Sequence, residues 1–309
     1  MTTEQQKLGV AGTNLLVEVV TREVAGAFDE ADISFLVLKG PALSRWLGDP
    51  LRSSGDVDLL VPPEEDVHAR DVLRALGYRQ VLPGDATTAH ATTWGRDNDP
   101  VAIDLHVTVV GARSDPVRLW AALGTGVENE MPGGPHVRVP GVSARLLLLA
   151  LHAAQHGIRE PSTLRDLENG LRLSDEGQWR EALQLARRIE AVDAFAGGLR
   201  LVQAGARLAD RLELPETVTA AVALRAATAP HTALGIERLM EAEGIRKRLR
   251  ILAQELTPSP AFMRDWHSLA RRRVAGLVLA YVYRPFWLAS RAVPGYLAWR
   301  RARNRARSR

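Results

Sequence analysis

Cysteine is absent from the 309 residues, which excludes structural disulfides and any zinc site built on thiolates. Lysine is nearly absent as well: of 40 basic residues only Lys7, Lys39 and Lys247 are lysine. Residues 271–309 contain eleven arginines and no acidic residue at all. No apolar run reaches the ~18 residues that a membrane-crossing helix needs. The polar start from Met1 to Val10 lacks the basic-then-apolar plan of a secretory signal, so a cytoplasmic location is expected.

What is present is the composition of an ordinary globular protein, 46% hydrophobic and 25% charged, of a length that suits about two domains. The formal charge of +4 hides an asymmetry, because removing the eleven tail arginines leaves residues 1–270 at −7. The basic isoelectric point therefore belongs to the tail. An acidic body repels a phosphate backbone, so nucleic acid is not expected as a partner.

Apolar periodicity predicts a helix over residues 13–30, with Thr13 or Asn14 as its cap. A buried strand follows from Ile33 to Leu38, closed by Gly40-Pro41, then one or two helical turns over 42–48. Asp56 to Val61 reads as a second strand, Glu64 to Leu76 as a helix with acidic residues in its first turn, and 101–110 as a third strand. In that strand Ile103, Leu105, Val107 and Val109 share one face, and Ala102, Asp104, His106 and Thr108 the other. After Pro140 the pattern becomes helical: Ser143–His156, Thr163–Leu173, Trp179–Ile189, Ala194–Leu212 and Thr217–Ala227. From Pro260 a less regular helical end follows, interrupted at Pro285 and Pro294. The expected class is α+β, a helix-flanked mixed sheet followed by an all-helical domain. The expected divisions are 1–140, 141–259 and a basic, aromatic-rich end at 260–309.

Asp56 and Asp58, two apart in a strand, project side by side from one face. Adjacent carboxylates repel, an arrangement that a cation relieves; alone, the pair also reads as a solvated strand end. Asp104 adds a third carboxylate on the polar face of a strand with an apolar back, where it also reads as decoration of a half-exposed strand. Three such groups suit magnesium, which takes carboxylates together with substrate phosphates. Gly40, directly after a strand, lets backbone approach a ligand closely, and Lys39 places a flexible ammonium in a chain that otherwise uses arginine; by itself the segment reads equally as an ordinary strand turn.

The run FLVLKGPALSRWLGDPLRSSGDVDLLV, then ALGYRQV, then IDLHV, resembles the uncharacterised nucleotidyltransferase family of the polymerase-β-type superfamily. That superfamily joins a glycine turn to a downstream Asp-x-Asp strand and a later carboxylate. The resemblance covers roughly residues 15–175, reaching LLALHAAQHGIREPSTLRDL, where His152, His156 and Asp166 match a motif of the helical part. It departs where proline, not serine, follows Gly40. It implies transfer of a nucleoside monophosphate from an NTP, ATP among them, to a hydroxyl of an acceptor that the residues do not name. Asp56, Asp58 and Asp104 would hold two magnesium ions, with Asp104 drawing the acceptor's proton. Lys39, Gly40 and Arg52 would hold the triphosphate. A non-catalytic nucleotide-binding or membrane-peripheral scaffold with the same fold is the alternative.

His152 and His156, four apart on one helix face, are either an interface pair or a border of the nucleotide cleft. A zinc peptidase is excluded, since Ala153 stands where its glutamate belongs. His106 reads equally as a packing residue or a cleft group. The tail mixes Val274–Tyr283, Phe286, Trp287 and Trp299 with arginine. That suits either packing on the helical part with a solvated end, or peripheral contact of 271–309 with an anionic membrane surface.

Overall fold

The computed structural model describes residues 3–49, 52–82, 91–97, 99–129, 137–216, 218–227, 229–242 and 244–307. In chain order these form α1 (Thr3–Glu30), β1 (Leu36–Val37), α2 (Pro41–Leu47), β2 (Asp56–Leu60), α3 (Asp66–Ala75), β3 (Arg79–Leu82), β4 (Ala91–Gly95) and β5 (Ala102–His106). Next come α4 (Pro116–Leu123), a short hairpin of β6 (Glu128–Asn129) and β7 (Arg138–Val139), and α5 (Val142–His156). The remainder is helical: α6 (Pro161–Leu173), α7 (Glu176–Arg188), α8 (Val192–Leu199), α9 (Gln203–Arg211), α10 (Ala220–Ala226), α11 (His231–Glu241), α12 (Ile245–Leu256), α13 (Pro260–Trp266) and α14 (Arg273–Arg307).

The five-stranded sheet has the order β1-β2-β5-β4-β3, with β2 and β5 parallel and every other neighbour antiparallel. Alternation along its strands sorts the two cores. Val37, Val57, Leu59, Ile103 and Leu105 turn to the back, where they pack with Val17, Val24 and Phe28 of α1 and Leu73 of α3. Leu36, Leu38 and Leu60 turn to the front and join a core that runs through α4, α5, α7 and α8. The helical array therefore covers the face from which Asp56 and Asp58 project. Leu59 and Leu60 are 1% and 0% exposed, so β2 is buried on both faces, as its unbroken apolar end suggests.

Several boundaries differ from the sequence expectations. α1 starts at Thr3, not at residue 13; Leu8, 70% exposed, shows why an apolar pattern does not reveal its first turns. Thr13 bonds within the helix to the Gly9 carbonyl, and Asn14 reaches across to the segment before β2. The strand expected over 101–110 ends at His106. Strands β3 and β4 and the β6–β7 hairpin escape the apolar pattern because they are short and rich in Thr, Arg and Gln. The helix expected over 194–212 divides into α8 and α9. At the break Arg200 bonds to the carbonyls of Leu214 and Pro215 and to Asp210. Thr217 lies outside the described residues, as do Ser308 and Arg309. Pro285 and Pro294 do not interrupt the C-terminal helix, which is continuous from Arg273 to Arg307. Each proline removes one backbone donor, and packing of α14 on α10, α11 and the 268–271 turn holds the helix across both gaps.

α5 and α8 cross at Gly198, where a Cβ would lie 1.9 Å from the Ala150 carbonyl oxygen. Gly198→Ala is expected to force the two helices apart and to cost about 1–3 kcal/mol, the usual penalty of overpacking. Urea denaturation checks this; an unchanged midpoint would show that the crossing yields freely.

Candidate active site

β2 and β5 run in parallel with Asp58 directly opposite Asp104 and Asp56 opposite Ala102. Paired residues of parallel strands share a face, so all three carboxylates project from the front of the sheet, Asp58 and Asp104 side by side at the middle of their strands and Asp56 at the start of β2. Ligand atoms of Asp58, Asp104 and His106 all lie within 4.8 Å of one another. Asp56 is the electrostatic neighbour of this group: its carboxyl is pushed above the ordinary value, first by burial, then by the charge of Asp58 and, more weakly, Asp104. Lys39 opposes that rise.

Asp58 is 3% exposed. Its Oδ1 accepts from Lys39 Nζ at 3.3 Å and lies 3.0 Å from His106 Nε2. Burial alone would raise this carboxyl, but the His106 hydrogen bond and the Lys39 charge outweigh it and hold Asp58 below the ordinary carboxylate range. Asp104 is tied from the other side, accepting from Thr93 Oγ1 of β4 at 2.6 Å.

Gly40 has φ 89° and ψ −160°, a conformation essentially confined to glycine. It sends the chain from β1 into α2, with Pro41 at the first helical position where a missing N–H costs nothing. Arg52 braces this turn. Its Nη1 donates to the Gly40 carbonyl at 3.4 Å and to Ser54 Oγ at 3.0 Å, while its Nε donates to Asp166 Oδ2 of α6 at 2.8 Å. The guanidinium thus joins the glycine turn, the lead-in to β2 and the helical array. Asn14 reinforces the lead-in, donating to the Arg52 carbonyl and accepting from Ser54 N–H.

α5 forms the opposite wall. Lys39, Asp58, His106, Arg145, His152 and Gln155 line one pocket together with Leu38, Leu43 of α2, Val109, Val110 and leucines of α5. His152 and His156 meet edge to face, ring centres 4.5 Å apart. Both imidazoles are held below their ordinary value, first by burial and then by the charge of Lys39, with His156 adding to the effect on His152. A depressed histidine favours the folded state above the unfolded pKa of about 6.5, and that contribution is lost as pH falls towards the folded value. Stability is therefore expected to drop on acidification from neutrality, and His152→Gln to flatten the drop. Urea midpoints across that range check this; an equal slope in the variant would contradict it.

Of the residues singled out in the sequence, Lys39, Asp58, His106 and His152 line this pocket, Asp104 clusters with Asp58 and His106, and Asp56 stands beside that cluster as an electrostatic neighbour. Arg52 and Gly40 stand together beside it, and His156 lies one helical turn from His152. Thr93, Asn14, Arg145 and Gln155 were not foreseen. Thr93 sits on β4, whose signal is only the short alternation in ATTWG; Asn14 and Gln155 lie on helices whose periodicity says nothing about polar neighbours.

A cation fits the donors present. Two carboxylates and an imidazole, from Asp58, Asp104 and His106, offer ligand atoms within 4.8 Å of one another. The Asp56 carboxyl beside them is raised first by burial and then by the charge of Asp58, a repulsion that a divalent ion would offset.

Among solved structures, the antibiotic-resistance factor ANT(2'')-Ia in solution is 15% identical, aligned over 60% of this chain and 96% of that chain, with a TM-score of 0.41. The same protein crystallised with adenylyl-2''-tobramycin gives 16% identity, 56% and 97% coverage and a TM-score of 0.42. An antigenic nucleotidyltransferase-like protein from Paracoccidioides brasiliensis gives 20%, 69%, 94% and 0.41. No curated protein matches the sequence. The family model described as uncharacterised nucleotidyltransferase matches residues 3–206, a span that contains every residue of the site, and the chain belongs to that nucleotidyltransferase family.

Proposed function

We propose that the protein transfers a nucleoside monophosphate from an NTP to a hydroxyl group of a second substrate, in the pocket between the front of the sheet and α5. The observation that carries this reading is the register of β2 and β5, which sets Asp58 against Asp104 with Asp56 two residues before. Asp56, Asp58 and Asp104 would hold two magnesium ions, which when bound would supply positive charge against the phosphate oxygens of an in-line displacement.

The protein's own groups do the rest. Asp104, oriented by Thr93, accepts the proton of the acceptor hydroxyl. That oxygen forms a bond to the α-phosphorus, and the bond from the α-phosphorus to the bridging oxygen breaks. Pyrophosphate leaves with the electron pair. Lys39 and the Gly40 turn hold the triphosphate, and Arg52 acts through that turn by fixing its carbonyl. His106 holds Asp58 in place. His152 and His156, kept neutral, border the nucleotide without adding charge. Catalysis of this kind rests on positioning and fixed electrostatics.

The test is calorimetric titration of ATP and the other NTPs with and without magnesium. Assays of pyrophosphate release follow, with hydroxyl-bearing acceptors: sugars, antibiotic-like small molecules, peptides and proteins. Magnesium-dependent binding of at least one NTP is expected. Binding of none would overturn the reading; tight binding without pyrophosphate release from any acceptor would favour a nucleotide-sensing module instead.

A further inference from the structure

α14 has two unlike faces. Its inner face is held: Ala280 is buried with Met263 and Ala270, and Trp299 and Ala302 with Leu224 and Ala233. Arg284 is also buried there and donates to the Glu255 carbonyl of α12. Its outer face carries Val274, Val278, Val282, Phe286, Val293 and Leu297, between 42% and 78% exposed. These positions recur at intervals of four and seven, so they form one stripe along the helix. At 1.5 Å per residue it is about 35 Å long. Arg271–Arg273 precede the stripe, Arg300 and Arg301 follow it, and no acidic residue occurs from 271 to 309. α12 repeats the plan: Ile245, Leu249, Leu252 and Leu256 are 40–69% exposed, with Arg246, Lys247 and Arg250 interspersed.

We propose that the outer face of α14, with α12 beside it, docks the protein flat on an anionic phospholipid bilayer. The apolar stripe enters the acyl boundary and the arginines meet the lipid phosphates. Charge complementarity selects this occupant. A second copy of the chain would bring two acid-free, arginine-rich segments together in either orientation, which like charges oppose. A nucleic acid would use the arginines and leave the stripe in water. No helix among the described residues is long and apolar enough to cross a membrane, so α14 lies in the interface plane.

The experiment is flotation of the full chain with phosphatidylcholine vesicles, with and without phosphatidylserine. Partition is expected to be about tenfold or more stronger on the anionic vesicles and to fall with salt. Val282→Glu with Phe286→Glu, at sites 58% and 70% exposed, is expected to abolish flotation with an unchanged melting temperature. Arg300→Gln with Arg301→Gln weakens binding only to the anionic vesicles. Asp58→Asn floats like the parent, which separates this surface from the active site. Absence of flotation at low salt overturns the proposal, as does full binding by the Val282/Phe286 variant. Self-association that this variant dissolves, or RNA binding without flotation, overturns it in favour of the other occupants.

Discussion

Asp58→Asn is expected to lower nucleotidyl transfer by roughly three orders of magnitude, the ~4 kcal/mol that one preorganised charge contact contributes in a buried site. Asp58 is the most enclosed of the three carboxylates, and its Oδ1 takes both Lys39 and His106. Asparagine keeps the shape and one acceptor oxygen, so the two donors retain a partner and the chain should fold. What disappears is the charge opposite Asp104. Turnover with labelled NTP, thermal melting and manganese binding by electron paramagnetic resonance measure the three consequences separately. A variant with a tenth or more of parental turnover would show that the chemistry lies elsewhere. Lost activity with a lost fold would be resolved by Asp104→Asn, a half-buried site whose substitution spares the Lys39 and His106 contacts.

Arg52→Met is expected to have the largest effect on stability, about 3–5 kcal/mol, the usual result of removing one partner from a buried ion pair. Asp166 is buried and depends on Arg52: burial raises its carboxyl, and the guanidinium opposes the rise both by charge and by hydrogen bond. Without Arg52 the carboxylate has no comparable partner, and the Gly40 carbonyl and Ser54 hydroxyl lose a donor. Arg52→Met combined with Asp166→Leu should recover most of the stability, because the pair is replaced by apolar groups of similar bulk. It should not recover NTP affinity, because the glycine turn stays unbraced. Urea denaturation and nucleotide titration of the single and double variants test this. Full recovery of NTP binding in the double variant would reduce Arg52 to a strut between the sheet and α6.

These expectations draw on different layers of information. Asp-Val-Asp in a strand settles locally that both carboxylates share a face, since side-chain direction alternates with every residue. The apolar run Leu59-Leu60-Val61 settles that the strand is buried on both sides. Helical periodicity likewise places His152 and His156 on one face of α5. Where periodicity is weak the chain is silent: the first turns of α1 carry few apolar residues, and β4 is a five-residue strand with a single large apolar side chain, Trp94, among small and polar ones. Proline misleads in α14, because its local cost is real but is outweighed by packing on the neighbouring helices.

By itself, then, the sequence determines the residue types of the site, the faces from which they project, and a C-terminal segment that is arginine-rich and acid-free. Those are properties of short range, set by backbone geometry and composition. Only the tertiary structure decides that Asp58 stands opposite Asp104, that Thr93 holds Asp104, that Arg52 reaches Asp166, and that one face of α14 is covered while the other is left bare. Each of these depends on which distant segments become neighbours. Strand register and helix packing are chosen by the whole core at once, and no local pattern encodes them.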